Sequence, residues 1–136
     1  MDGIPWIIMK PIDQLTEEVI GLAMKVHRSL GPGFLESVYQ KAMSLELMRA
    51  GCQVDSEKPL KVIYEGAVVG DFVADLLVDD RLIIELKAVQ ALTVIHEVQT
   101  VNYLAATGID DALLLNFGAS SLQIKRKRRL AKPPSE

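Results

Sequence analysis

Aromatic residues make up only 5% of this 136-residue chain, so its interior must be filled chiefly by Leu, Val, Ile, Ala and Met. Cysteine is scarcer still. Cys52 stands alone, which excludes an internal disulfide and suits a reducing compartment. No apolar run approaches the roughly 20 residues that cross a bilayer. Lys10 follows the short apolar segment 4–9 instead of preceding it, so no secretory signal is expected either. A large charge of one sign is also missing. The 15 Lys and Arg against 18 Asp and Glu leave −3, which argues against a chain that coats nucleic acid indiscriminately. What remains is a cytoplasmic globular domain, 49% hydrophobic and 24% charged, long enough to bury a core of its own.

The basic charge that is present gathers at Lys125-Arg126-Lys127-Arg128-Arg129. Such a run is either a solvated tail or a set of contacts to a phosphate backbone. Residues 1–14, interrupted by Pro5 and Pro11, read as an extended arm with a short strand at 6–9. A helix is expected after Thr16, an acceptable N-cap with Glu17 and Glu18 in the first turn. Leu15, Val19, Leu22 and Val26 recur at helical spacing until Gly31-Pro32-Gly33 ends the helix. A second helix runs over 35–50 and stops at Gly51.

The period then changes. Segments 60–64, 68–78 and 82–89 are strand-like, separated by Glu65-Gly66 and by Asp79-Asp80. A third helix over 93–106 stops at Gly108, and 112–117 reads as a buried strand because Leu113-Leu114-Leu115 is continuously apolar. Residues 121–127 alternate weakly, like an edge strand protected by charge. The order predicts an α/β fold in one domain: an αβββαβ core over about 15–127 with a mixed sheet flanked by helices, an arm before it, and a basic tail over 128–136.

Side chains alternate along a strand, so Glu85 and Lys87 share one face. Phe72, Ala74, Leu76 and Val78 are expected on the opposite, apolar face with Leu82, Ile84, Leu86 and Ala88. Asp75 joins Glu85 and Lys87 only if it lies opposite Glu85. A two-residue loop at Asp79-Asp80 would put it opposite Ile84, so the convergence requires a three-residue loop 79–81 or a bulge. Charges on a strand flanked by Leu82-Ile83-Ile84 and Leu86 need one another or a metal.

On the third helix, His96, Gln99 and Tyr103 form one stripe. Val94, Val98, Val101 and Ala105 form another, expected to pack on the sheet. Glu36 and Tyr39 share a face at the start of the second helix, where a glutamate also suits the helix dipole. His27 lies near the apolar stripe of the first helix, where a satisfied core or interface histidine is the simpler state and a ligand the alternative.

Gly33-Phe34-Leu35-Glu36-Ser37-Val38-Tyr39 reads as Gly-x-x-Glu-x-x-Tyr and resembles the GxxExxY family, a branch of the PD-(D/E)XK nuclease-like superfamily. VHRSLGPGFLESVY, VADLLVDDRLIIELKAV and HEVQTVNYL are similar to that family too, so the resemblance spans about residues 15–117. It implies a restriction-endonuclease-like fold. By this resemblance Asp75, Glu85 and Lys87 match the D…ExK catalytic motif, Glu36 the helix glutamate of RecB-like members, and Gln99-x-x-x-Tyr103 their QxxxY motif. Ala74 stands where the superfamily's name has proline, at a position that varies widely.

The implied chemistry is hydrolysis of phosphodiester bonds in DNA, with RNA second. Mg²⁺ or Mn²⁺ would be held by Asp75, Glu85, the Leu86 carbonyl and Glu36. Lys87 would orient water or stabilise developing charge, while Gln99 and Tyr103, with Tyr39, His27 and His96 around them, would support the site or hold phosphate. The competing reading is a catalytically inactive module of the same fold that binds nucleic acid or protein. A homodimer would account for the high aliphatic content and would enlarge the groove.

Overall fold

The computed structural model describes residues 9–129. Helices α1 (Ile12–Leu30) and α2 (Glu36–Arg49) precede strands β1 (Val54–Tyr64), β2 (Ala67–Val78) and β3 (Leu82–Lys87). Helix α3 (Val94–Thr107) then leads to β4 (Asp111–Asn116) and β5 (Gln123–Arg128). The strands form one sheet in sequence order, antiparallel except where β3 and β4 run parallel across the α3 connection. The expected αβββαβ order is α2 through β4, with α1 in front and β5 behind. The α/β reading holds.

Helix α1 begins earlier than Thr16 suggests. Pro11 precedes its first residue, Asp13 stands in the first turn, and Thr16 is buried with its hydroxyl donating to the Ile12 carbonyl at 2.7 Å. Proline before a first turn loses nothing, because that turn's N–H groups have no intrahelical partner. Of the strand expected at residues 6–9, residues 6–8 lie outside the described residues and Met9 is a bend. Strand β1 starts six residues before the expected 60, through the polar stretch Asp55–Lys58. Its polarity reflects its place at the sheet edge, where Pro59 and lysines discourage further pairing.

Two hairpins set the register. Glu65 and Gly66, both at positive φ, join Tyr64 to its partner Ala67. Between β2 and β3, Asp79 and Asp80 also take positive φ, of 51° and 57°, and Arg81 N–H closes the turn on the Val78 carbonyl at 3.0 Å. Val78 nevertheless pairs with Leu82, so Arg81 is an extra residue and the loop has three. Leu77 meets Ile83 and Leu76 meets Ile84, the register that directs Asp75 toward Glu85.

Helices α1 and α2 cover one face of the sheet, where Leu15, Val19, Tyr39 and Met43 meet Leu76, Ile84 and Leu113. Helix α3 covers the other through Leu104, against Leu77, Ile83 and Ala112. Two expectations fail here. Phe72 and Ala74 do not share the face of Leu76 and Val78 but join Leu77 beneath α3. The change of side coincides with a break in the β1–β2 ladder, which passes from Ser56–Leu76 to Lys58–Ala74 and omits Glu57, a residue at φ 51°. The stripe of Val94, Val98, Val101 and Ala105 does not pack on the sheet either. Val94 is 73% and Val98 51% exposed, because α3 docks through Thr100, Leu104 and the Tyr103 ring instead.

The basic run is part of the fold up to Arg128, the last residue of β5, and residues 130–136 of the expected tail lie outside the described residues. Arg126 and Arg128 reach Asp13 at 2.6 and 2.9 Å, Lys127 reaches Glu97 at 2.6 Å, and Arg129 reaches Asp110 at 2.7 Å. Asp111 Oδ1 lies 3.6 Å from Arg126 and 3.4 Å from Arg128, but neither contact is a directed hydrogen bond. The run ties the edge strand to α1, α3 and the β4 entrance. These cations are already paired.

Candidate active site

The site begins where β2 and β3 part. Leu76–Ile84 is the last backbone pair, and the next residues of the two strands are Asp75 and Glu85. There the carboxylates replace the ladder. Leu86 N–H donates to Asp75 Oδ2 at 2.8 Å, and Asp75 N–H donates to Glu85 Oε1 at 3.3 Å. Each side chain is thereby fixed to the opposite strand. On its other side β3 stays paired to β4 through Lys87–Asn116, so it is β2 that it leaves.

Glu85 is only 6% exposed and Asp75 is half-buried. Burial, reinforced by the Asp75 charge and by Glu36, pushes the Glu85 carboxyl up to about 8, against the opposing pull of Lys87 and its bond to Asp75 N–H. Burial also raises Asp75, helped by Glu57, while the Leu86 N–H and Lys87 oppose it. No ion pair within the described residues joins Lys87 to either carboxylate. A buried and a half-buried carboxyl therefore face each other with no ion-pair partner among the described residues. Among the described residues no group of three or more His, Cys, Asp or Glu side chains could hold a metal ion. The hard oxygen donors of Asp75 and Glu85 nevertheless suit Mg²⁺, which keeps several waters and needs one or two carboxylates. The donor set fits.

Glu36 is the first residue of α2, exposed, and close enough for its charge to act on Glu85. Its placement depends on Tyr39, which is fully buried and stacks on Phe117 with ring centroids 4.7 Å apart. The Tyr39 hydroxyl donates to the Gly31 carbonyl and accepts the Phe34 N–H at 3.2 Å. In Gly-x-x-Glu-x-x-Tyr the tyrosine thus pins the loop that aims the glutamate, and its hydroxyl is engaged within the fold. His27 is the satisfied core histidine: buried, its Nε2 3.0 Å from the Ala119 carbonyl oxygen, its ring near Phe117.

His96 has a capping role rather than a place among the carboxylates. Its Nδ1 accepts the Thr93 N–H at 3.1 Å, one half of a capping box that starts α3. Tyr103 stacks on Phe72, three residues before Asp75 in β2, with centroids 3.7 Å apart. Gln99 is exposed and forms no side-chain hydrogen bond among the described residues. Neither contacts the carboxylates through a hydrogen bond.

A buried amide cluster that the sequence reading passed over holds the chain beyond Lys87. Asn116 is fully buried, and its Oδ1 accepts the N–H groups of Val89 and Gly118, each at 3.0 Å. Its Nδ2 donates to the Val89 carbonyl at 2.9 Å and to Gln123 Oε1 at 2.8 Å, and that oxygen also accepts Leu92 N–H at 2.9 Å. Gly118 completes the clamp, since a Cβ there would lie 2.3 Å from the Val89 oxygen. The signal available was a lone Asn closing an apolar strand, Leu113-Leu114-Leu115-Asn116, with Gly two residues on.

Two outcomes follow. Gly118→Ala must move the backbone at Val89, and urea unfolding should register a loss of about 1–3 kcal/mol; an unchanged midpoint would show that the loop yields freely. Glu85→Gln tests the buried carboxyl. The native Glu85 keeps its proton above the pH at which the unfolded chain, near its ordinary 4.5, has lost it. Metal-free wild type should therefore lose stability as pH rises from about 4.5 to about 8, and the Gln variant should lose less across that window. Parallel melting curves for the two would remove this account.

A model of the PD-(D/E)XK nuclease superfamily matches residues 13–128. No curated protein matches the chain. The crystal structure of SSO0001 is similar at 15% identity and a TM-score of 0.47, over 87% of this chain and 79% of that one. With the family model spanning both helices before the sheet, the parting of β2 and β3, and β5, the chain belongs to the PD-(D/E)XK nuclease superfamily.

Proposed function

We propose that this chain is a metal-dependent nuclease that hydrolyses phosphodiester bonds of DNA, with RNA second, and that it is of the GxxExxY, RecB-like kind. The observation that carries the reading is the Asp75–Glu85 pair: two carboxylates on neighbouring strands, each bonded to the other strand's backbone, with Lys87 two residues on. Superfamily nucleases generally use divalent metals such as Mg²⁺. Asp75 and Glu85, with the Leu86 carbonyl and Glu36, would hold Mg²⁺ or Mn²⁺. Bound there, the ion supplies Lewis acidity, lowering the pKa of water and offsetting charge on the phosphoryl group.

The protein's own part is positioning and charge. Asp75 and Glu85 are held by main-chain N–H groups, so they change shape little on charging. Lys87 orients the attacking water or stabilises the negative charge that grows on phosphoryl oxygen. Water adds its oxygen to phosphorus, the bond from phosphorus to the leaving sugar oxygen breaks, and that oxygen ends protonated. Gln99, exposed on α3, and the half-buried Tyr103 are hydrogen-bonding groups for phosphate or for a neighbouring loop.

Hydrolysis of labelled DNA in Mg²⁺ or Mn²⁺ tests this reading. Lys87→Ala should lower the rate by about 10²-fold or more, and equal rates would remove the mechanism. Calorimetry supplies the other arm: Mn²⁺ should bind wild type below the millimolar range and Asp75→Asn far more weakly. Failure of both would favour the alternative, an inactive nuclease-fold module acting in nucleic-acid or protein binding.

A cytoplasmic homodimer completes the proposal. No helix among the described residues is long and apolar enough to cross a membrane. The exposed Val94 and Val98 and the half-buried Val101 line a cleft of about 430 Å³ on α3, shared with Glu97 and Lys127. A second copy turned about a two-fold axis could meet this face with its own apolar stripe and opposite charges. Sedimentation equilibrium should find a dimer that Val98→Asp reduces to monomer; a wild-type monomer at high concentration would end that part.

A further inference from the structure

Among the described residues, most arginines and lysines of the basic run are bound to Asp13, Glu97 and Asp110, so a phosphate backbone must find its contacts elsewhere. Lys41 is exposed, makes no ion pair within the described residues, and lines a cleft of about 470 Å³ between α2 and β1. The cleft is shared with Gln40, Ser44, Leu45 and Met48 of α2 and with Ser56 and Glu57 of β1. Both walls lead back to the site. On α2, Glu36, Gln40, Ser44 and Met48 stand four apart, so one helical ridge starts at the candidate metal-binding glutamate and continues as the wall. On β1, Glu57 occupies the place opposite Asp75 that the ladder omits, and its charge is felt there.

We infer that this cleft is a binding track for single-stranded nucleic acid, carrying the strand from Asp75 and Glu85 along the groove between α2 and β1. The inference rests on the nuclease reading for the direction of the strand, but not for the existence of the track. Its chemistry is that of single-strand grooves. Lys41 supplies the cation, Gln40 and the hydroxyls of Ser44 and Ser56 supply hydrogen bonds to phosphate and sugar, and exposed Leu45 and Met48 offer apolar surface to unstacked bases. The hydroxyls of Ser44 and Ser56 lie 3.5 Å apart and join α2 to β1 along the cleft. A void of this size resembles a small-molecule pocket more than a channel for a duplex. From Glu36 to Met48 the ridge is twelve residues, about 18 Å at 1.5 Å per residue. Glu57, the anion at the site end, repels phosphate from the mouth unless a cation is bound beside Asp75, which would make entry depend on the metal.

The test is fluorescence anisotropy of the full chain with a labelled oligothymidine and with a blunt duplex of equal length, in EDTA and then in Ca²⁺ as a divalent probe. Lys41→Glu should weaken single-strand binding about tenfold and lower the salt slope by about 0.7, one contact's worth. Gln40→Glu should weaken it several-fold. Duplex binding should change less, and Lys125→Glu on β5 should match wild type. Equal losses for Lys41→Glu and Lys125→Glu, or equal losses on single strand and duplex, would overturn the track. Circular dichroism checks folding, and both α2 side chains reach solvent. The outcomes separate from those of the nuclease reading. If Lys87→Ala leaves cleavage intact while Lys41→Glu loses binding, the track stands and the mechanism falls. If cleavage needs Lys87 while Lys41→Glu binds normally, the track falls and the site stands.

Discussion

The rest of the site depends on β2 and β3 ceasing to pair after Leu76–Ile84. A regular ladder would carry main-chain pairing on past Asp75 and Glu85, their side chains directed away from the seam. Here the side chains enter the seam. Leu86 N–H goes to the Asp75 carboxylate and Asp75 N–H to that of Glu85, so the two polar groups a broken ladder would leave unpaired are satisfied by the carboxylates themselves. The structure thereby holds two carboxyl groups close together, with burial raising both and the Asp75 charge raising Glu85 further. Free carboxylates would move apart. These are held by their bonds.

Keeping β3 away from β2 requires something on its other side. Strand β4 provides it through six paired residues, and Asn116 extends the grip past the end of the ladder by binding both the N–H and the carbonyl of Val89. Gly118 allows that approach because it has no Cβ. From Val89 the chain reaches Leu92, held by Gln123, and then the Thr93–His96 capping box that begins α3. The path from Lys87 to α3 is thus anchored at almost every step to β4 and β5. The ion pairs of β5 with Asp13 and Glu97, and of Arg129 just after it with Asp110, belong to the same anchoring, because they fix the strand that carries Gln123.

Much of this was legible in residue order. Element types, the central hairpin and its three-residue loop follow from periodicity and from the need to place charged side chains together. What alternation could not supply was the break at Glu57 and Asp75. A period-two rule assumes an unbroken strand, so it put Phe72 and Ala74 with Leu76, on the wrong side of the sheet. The α3 stripe failed for a related reason: Val94, Val98 and Val101 are as apolar as a buried face, but β-branched side chains on a helix do not say whether they meet this chain or solvent. Charge runs mislead in the opposite sense, since five adjacent cations look like a tail until the acids at 13, 97, 110 and 111 are brought beside them.

Motif residues and chemical residues are different sets, and Gly-x-x-Glu-x-x-Tyr illustrates the distinction. Glu36 is exposed at a helix start and acts electrostatically on Glu85, whereas Tyr39 is fully buried with its hydroxyl bridging Gly31 and Phe34. One stands beside the carboxylate pair, and the other fixes the loop that places it there. His96 divides from Gln99 and Tyr103 in the same way, as a cap on the helix that carries them. Positions recur together in a motif when losing any of them disables one site, whether by removing a ligand or by releasing the backbone that aims it. Asn116 and Gly118 likewise hold backbone, although they lie outside both the D…ExK and the Gly-x-x-Glu-x-x-Tyr patterns. Their link to Asp75 and Glu85 runs through the backbone of β3, by way of Val89 and the Lys87–Asn116 pair.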